Sequence, residues 1–167
     1  KLKIEQEKLQ EIQENIKDFI EAEALQDVLD VKYLEDRLEL NFGNALLFAT
    51  GASDLRNKAI DVIQTVSNMV KTTESKIIVE GHTDNIPIKS KKFPSNWELS
   101  AARASAVART MINTGVEARR FMVIGRNKYA PLAKNDSPTN RAKNRRVKIT
   151  IKPDTEALLS SGMKGTK

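Results

Sequence analysis

Gly81-His82-Thr83-Asp84 closes an apolar run, Ile77-Ile78-Val79, and is followed at a distance by Asn96-Trp97-Glu98-Leu99-Ser100-Ala101-Ala102-Arg103-Ala104. The run reads as a buried strand and the second segment as the opening of a helix. Asp84 then falls just past a strand end, and Arg103 about a turn inside the next helix. A carboxylate and a guanidinium held on neighbouring elements can grip opposite ends of a zwitterion. The carboxylate takes an ammonium, and the planar guanidinium takes a carboxylate through two parallel donors. These residues describe a candidate site for an amino-acid-like group. The alternative is a plain ion pair bracing strand to helix, which at an exposed position contributes little.

Other chemistries find less support. His82 is the only histidine and there is no cysteine, so the chain cannot supply the nitrogen and sulfur ligands of a zinc site. A hydrolytic triad would need a strained nucleophile turn and an oxyanion hole, whereas Ser100 lies inside a helix. His82 is expected to be a structural hydrogen-bonding residue at the strand end, and the chain a non-enzyme without a cofactor. Phe93 and Trp97 lie beside the site. They could stack on a sugar, but the favoured reading is that they cover the helix N-terminus and the core.

The elements around the site follow from periodicity. Leu2, Leu9, Ile12, Ile16 and Phe19 recur at a/d-like spacing, which predicts a helix with a narrow apolar stripe. Glu5 and Glu23 interrupt the seam, so the stripe is either a short dimer seam or a helix packed on the domain. Val31–Tyr33 and Leu38–Phe42 alternate around Glu35-Asp36 and predict a hairpin. Asn44 to Gly51 reads as a loop carrying Leu46-Leu47-Phe48. Ser53 or Asp54 is expected to cap a helix with Ala59, Val62, Ile63, Val66, Met69 and Val70 on one face.

A strand over 76–81 follows, then a long loop from Asn85 to Ser95, of the kind that is often functional. A helix from about 97 to 114 stops at Gly115. Phe121–Ile124 is expected to be a buried strand, and Ser137-Pro138 to open a short helix through about Asn144. Val147, Ile149 and Ile151 alternate with polar residues as a half-exposed final strand. The order gives an α/β class with a mixed sheet packed by helices. The expected organisation is an amphipathic linker helix over 1–30, one domain over 31–152 and a flexible tail over 153–167.

Charge is unevenly spread. The overall +6 divides into −5 over residues 1–30 and +11 over the rest, with a cluster at Arg141, Lys143, Arg145, Arg146, Lys148 and Lys152. A basic domain suits an anionic partner such as nucleic acid, anionic lipid or a carboxylate-rich polymer, or is simply a solvated face. Against nucleic acid, the cluster spans a helix and a strand start, so its charges should diverge. Aromatic residues are also few, at 5%, which leaves little for stacking on unpaired bases. No apolar run approaches the roughly 20 residues of a membrane-spanning helix. The chain opens mid-pattern without an initiating Met and is expected to be a fragment of a longer protein.

The ordered set Gly81-His82-Thr83-Asp84, Asn96, Leu99-Ser100, Arg103-Ala104, Val107, Gly115, Gly125, Pro131, Asn135, Arg141 and Asn144-Arg145-Arg146-Val147 resembles the OmpA-like peptidoglycan-binding domain, over roughly Leu38 to Lys152. Within that family, two segments are similar to the periplasmic part of MotB-type flagellar stator subunits. They are Leu47–Leu55 and the long proline-containing loop before Ser95. The resemblance implies that Asp84 receives the ammonium and Arg103 the carboxylate of a diamino acid in the peptidoglycan stem peptide. Arg145 would be a further site arginine, Asn96 and Leu99 would shape the pocket, and Thr83 and Asn85 would flank it. It also implies a homodimer, a membrane channel partner subunit, and a place on the outer side of the cytoplasmic membrane. An outer-membrane or lipoprotein anchor of the OmpA/Pal type is the alternative parent.

Overall fold

Leu34 and Arg37 pair across a two-residue turn, with Glu35 at φ 56°, and so join β1 (Leu29–Leu34) to β2 (Arg37–Gly43). The structure is a computed structural model that describes residues 1–163 of the chain. A helix, α1 (Leu2–Ala22), precedes the hairpin. After it come α2 (Asn44–Leu47), α3 (Asn57–Val70), β3 (Lys76–His82), α4 (Asn96–Thr114), β4 (Phe121–Gly125), α5 (Pro138–Asn144), β5 (Arg146–Lys152) and α6 (Thr155–Met163). The sheet order is β1-β2-β5-β3-β4. Only β3 and β4 run parallel; the other neighbours are antiparallel.

This is the expected α/β class with a mixed sheet. Leu38, Leu40, Phe42, Ile77, Val79, Ile149 and Ile151 point from alternate strand positions into one core, which α1, α3 and α4 cover. Alternate positions on the other face carry polar groups, with Lys148 meeting Glu39 at 3.4 Å.

The stripe of α1 is spent within the domain. Leu9, Ile12, Ile16 and Ile20 are buried in the common core and Phe19 packs against it, while Leu2 is exposed. Glu5, at a seam position, is buried too. Its carboxylate accepts from Glu74 N (2.7 Å) and Ser75 Oγ (2.8 Å). The first helix is thus a layer of the domain, and β1 already begins at Leu29, inside the segment read as a linker.

Five local expectations change. Residues 44–51 are not all loop, because Asn44–Leu47 makes one helical turn. α3 begins at Asn57 behind Arg56, without a side-chain cap, so neither Ser53 nor Asp54 caps it. Leu55 is held in an isolated antiparallel bridge to Phe48, and Arg56 N donates to Leu47 O, so the chain cannot turn helical earlier. β4 is not buried. It is an edge strand, with Met122 58% and Val123 40% exposed. Conversely β5 lies between β2 and β3, and even Arg146 and Thr150 on it are buried. In the segment read as a tail, Asp154 Oδ1 accepts from Ala157 N and starts α6; residues 164–167 lie outside the described ones.

Candidate ligand-binding site

Gly81 and Gly125 are register partners on β3 and β4, and α4 crosses the sheet on top of them. A Cβ on Gly81 would lie 2.0 Å from Ser100 O, and one on Gly125 2.9 Å from Ser100 Oγ. Both positions must be glycine for the helix backbone to sit this close. The helix begins where Ser95 Oγ accepts from Trp97 N (3.1 Å) and ends at Gly115 with φ 118°. That seating carries Arg103 towards the end of β3, where Asp84 stands.

Asp84 is buried and receives two donors. Ile86 N reaches Oδ1 at 3.0 Å, and Arg145 Nη1 reaches Oδ2 at 2.6 Å. The ion pair is therefore formed with Arg145, and the Asp84–Arg103 brace considered from the sequence is not made. Arg103 is held differently. Its Nε donates to Ala52 O (2.9 Å), and its guanidinium lies over the Phe48 ring at 5.1 Å. Burial first and then the Arg145 charge, partly offset by Asp84, lower its pKa to about 10. It remains cationic at neutral pH. With Nε engaged, its two Nη groups are left to meet a ligand.

These three residues line a cleft of about 400 Å³ together with Thr83, Asn96 and Leu99. Asn85 does not line it; it is exposed at the turn beyond Asp84. Asn96 Nδ2 donates to Ile86 O at 3.0 Å and so holds the long loop against the helix. That loop supplies wall residues the sequence reading missed, Ile86, Pro87 and Ile88, and the opposite rim adds Asn44, Thr50 and Gly51. The only signal for them was loop length, which names no residue.

The motif around Arg145 divides by role. Asn144 is buried; its Oδ1 accepts from Leu132 N and Ala133 N, and its Nδ2 donates to Ala133 O and Asn135 Oδ1. Arg146 is buried and donates to Asn144 O and Ala130 O. Arg145, between them, turns to the cleft. The basic cluster thus takes several roles, with Arg145 on the cleft, Arg146 buried, and Arg141 and Lys143 on α5.

His82 corrects another expectation. It is buried, but among the described residues neither imidazole nitrogen has a hydrogen-bond partner, so it does not act as a hydrogen-bonding post there. Burial first, then Arg146, Arg126 and Lys148, push its pKa down to about 3 and keep it neutral. Phe93 is buried as expected, whereas Trp97 is 50% exposed. Ser100 Oγ donates to Trp97 O and accepts from Asn127 N, and so ties α4 to the loop after β4.

The profile of the OmpA family matches residues 47–145. The chain belongs to the OmpA family. The match runs from Leu47, at the end of α2, through Arg145 and so contains the whole Asp84–Arg103–Arg145 constellation. Motility protein B of Bacillus subtilis is 32% identical over 151 residues, covering 89% of this chain and 58% of that protein. Among solved structures, a putative MotB-like protein from Desulfovibrio vulgaris superposes with TM-score 0.81 at 27% identity, covering 92% of this chain and 96% of that one. The cell wall anchor of the T6SS from Pseudomonas aeruginosa gives TM-score 0.76 at 32% identity, covering 81% and 95%. Among the described residues of this OmpA-family domain, no helix is long and apolar enough to cross a membrane.

Proposed function

We propose that this domain binds peptidoglycan without cleaving it and anchors a flagellar stator complex to the cell wall. The observation that carries the reading is the cleft in which one carboxylate, Asp84, stands among two arginines. A diamino acid of a stem peptide is free at one end as a zwitterion. Its ammonium would share Asp84 with Arg145, and its carboxylate would take the Nη edge of Arg103 bidentately. Family membership and the likeness to Motility protein B support the stator parent. Since the chain spans about half to three fifths of such relatives, the membrane channel partner and the pairing of two copies belong to this proposal. Residues 1–163 would then lie on the outer side of the cytoplasmic membrane.

A second reading keeps site and ligand but changes the parent to an OmpA/Pal-type outer-membrane or lipoprotein anchor. The likeness to a cell wall anchor outside the flagellar motor favours it. A single membrane helix carrying an aspartate in the full-length gene supports the stator; a lipidated N-terminus or a β-barrel supports the alternative. Binding itself is tested by sedimentation with purified sacculi. Wild type should be retained, and Asp84→Asn and Arg103→Ala should be lost by tenfold or more, with folding intact by circular dichroism. Equal retention of all three sinks the site.

A further inference from the structure

The first turn of α4 carries two surfaces. Asn96 faces the cleft, while the next residue, Trp97, lies outside it, stacked on Tyr129 of the loop after β4. The ring centroids are 5.5 Å apart and the planes 29° apart. Both rings stay in contact with solvent, at 50% and 66% exposure, and the Lys128 ammonium stands 5.7 Å from the Tyr129 centroid. The aromatic pair is anchored to the frame of the cleft. Thr83 N donates to Asn127 O, Asn127 N donates to Ser100 Oγ, and Ser100 Oγ donates to Trp97 O.

We propose that Trp97 and Tyr129 form a platform for a pyranose ring of the same ligand whose peptide enters the Asp84–Arg103–Arg145 cleft. The proposal rests on the peptidoglycan reading above and adds a glycan subsite to it. One face of a pyranose presents C–H bonds with partial positive charge, which suits the negative face of an aromatic ring. Trp and Tyr also give large contact area at small entropic cost. Lys128 supplies donors for ring hydroxyls or an acetamido carbonyl at the rim. Trp97 follows directly on the cleft residue Asn96, with Cα atoms about 3.8 Å apart, and a stem of a few residues spans on the order of 10 Å at about 3.3–3.6 Å each. Two rings are far too little for a protein interface, which needs about 800 Å² per partner.

Trp97 is the only tryptophan, so its emission reports the platform directly. The probes are a disaccharide–tripeptide muropeptide, the same tripeptide without sugar, a tetramer of N-acetylglucosamine, and a single-stranded oligonucleotide. The muropeptide should bind wild type about three- to tenfold more tightly than the tripeptide, the worth of one aromatic contact, and should shift the Trp97 emission. Tyr129→Ala and Trp97→Ala, measured by calorimetry, should reduce muropeptide affinity to that of the tripeptide and leave the tripeptide unchanged. Trp97→Phe should restore most of the difference. Equal wild-type affinity for muropeptide and tripeptide overturns the platform, as does an equal loss of both ligands in the alanine variants. A response of Trp97 to the oligonucleotide but to no saccharide overturns it too. If the tripeptide binds and sugars change nothing, the platform alone fails. If the tetramer shifts Trp97 while no peptide binds, the platform stands and the stem-peptide reading fails.

Discussion

α1 and α4 both cover the same sheet face, yet they are held by opposite means. α1 rests on Leu9, Ile12, Ile16 and Ile20, long aliphatic side chains that keep its backbone away from the strands. α4 lies backbone-to-backbone on Gly81 and Gly125, with Ser100 and Ala101 at the contact. Aliphatic side chains can change rotamer and let a helix re-seat by a fraction of an ångström. A carbonyl in contact with a glycine has no such cushion, because interiors are close-packed and backbone cannot compress. The rigid contact belongs to the helix that carries Arg103, Asn96 and Leu99 on the wall of the cleft. The adjustable contact belongs to the helix that only closes the core.

The strongest way to break this contrast is Gly81→Val. With Ser100 O already 2.0 Å from a Cβ position, the variant should lose on the order of 4 kcal/mol or more. If it folds at all, ligand binding should be lost with it. Urea denaturation and sacculus sedimentation check both. A stable, binding-competent Gly81→Val would show that α4 is not fixed by its backbone contact.

Next in size, Ile16→Ala removes a fully buried side chain of α1 and should cost about 2–4 kcal/mol. In contrast to Gly81→Val, whatever fraction remains folded should bind normally, because α1 does not line the cleft. An unchanged urea midpoint would mean that α1 is an inert tether and not a layer of the core.

Arg103→Lys sharpens the comparison on the α4 side. It keeps the charge but loses the planar fork and the Nε bond to Ala52 O. Binding should weaken about tenfold, of the size of one charge-assisted hydrogen bond at about 1.5–3 kcal/mol, while the urea midpoint moves much less than in Ile16→Ala. Full retention on sacculi would remove Arg103 from the carboxylate role.

The smallest effect concerns His82, next to Gly81 on β3. Its pKa is about 3 in the fold and about 6.5 when unfolded. Between those values the unfolded chain binds the extra proton, so stability falls as pH drops through this window. The slope is at most about 1.4 kcal/mol per pH unit. It should be visible from pH 6.5 to 5, before the carboxylates titrate. His82→Gln should flatten the profile there; urea midpoints at three pH values suffice. Parallel profiles for both proteins would mean that His82 is solvated in the fold.

Much of this chain was legible residue by residue. The stop of α4 follows from Gly115 and the start of α5 from Ser137, each of which acts on donors or torsions within three residues of itself. The hairpin, β3 and the buried stripes of α1 and α3 follow from periods of two and of 3.6. Of the candidate site residues, Asp84 and Arg103 came from type and spacing and Asn96, Leu99 and Arg145 from the family resemblance; all five line the cleft, whereas Asn85 does not. What failed were judgements about depth and partnership. β4 reads as apolar as β3, but strand order puts it at an edge and β5 in the middle. Ser53 and Asp54 look like caps, but the distant pairing of Leu55 with Phe48 delays the helix.

By itself, then, the sequence determined the elements, their class and the chemical character of the site, because those depend on interactions along a few residues of chain. Only the tertiary structure decided that Asp84 pairs with Arg145 across 61 residues and not with Arg103 nearby. It also decided that Arg146 is structural although identical in type to its neighbour, and that Trp97 faces solvent on Tyr129. Those outcomes depend on where β5 enters the sheet and how closely α4 may approach two glycines. That is fixed by the packing of the whole chain, and no local window contains it.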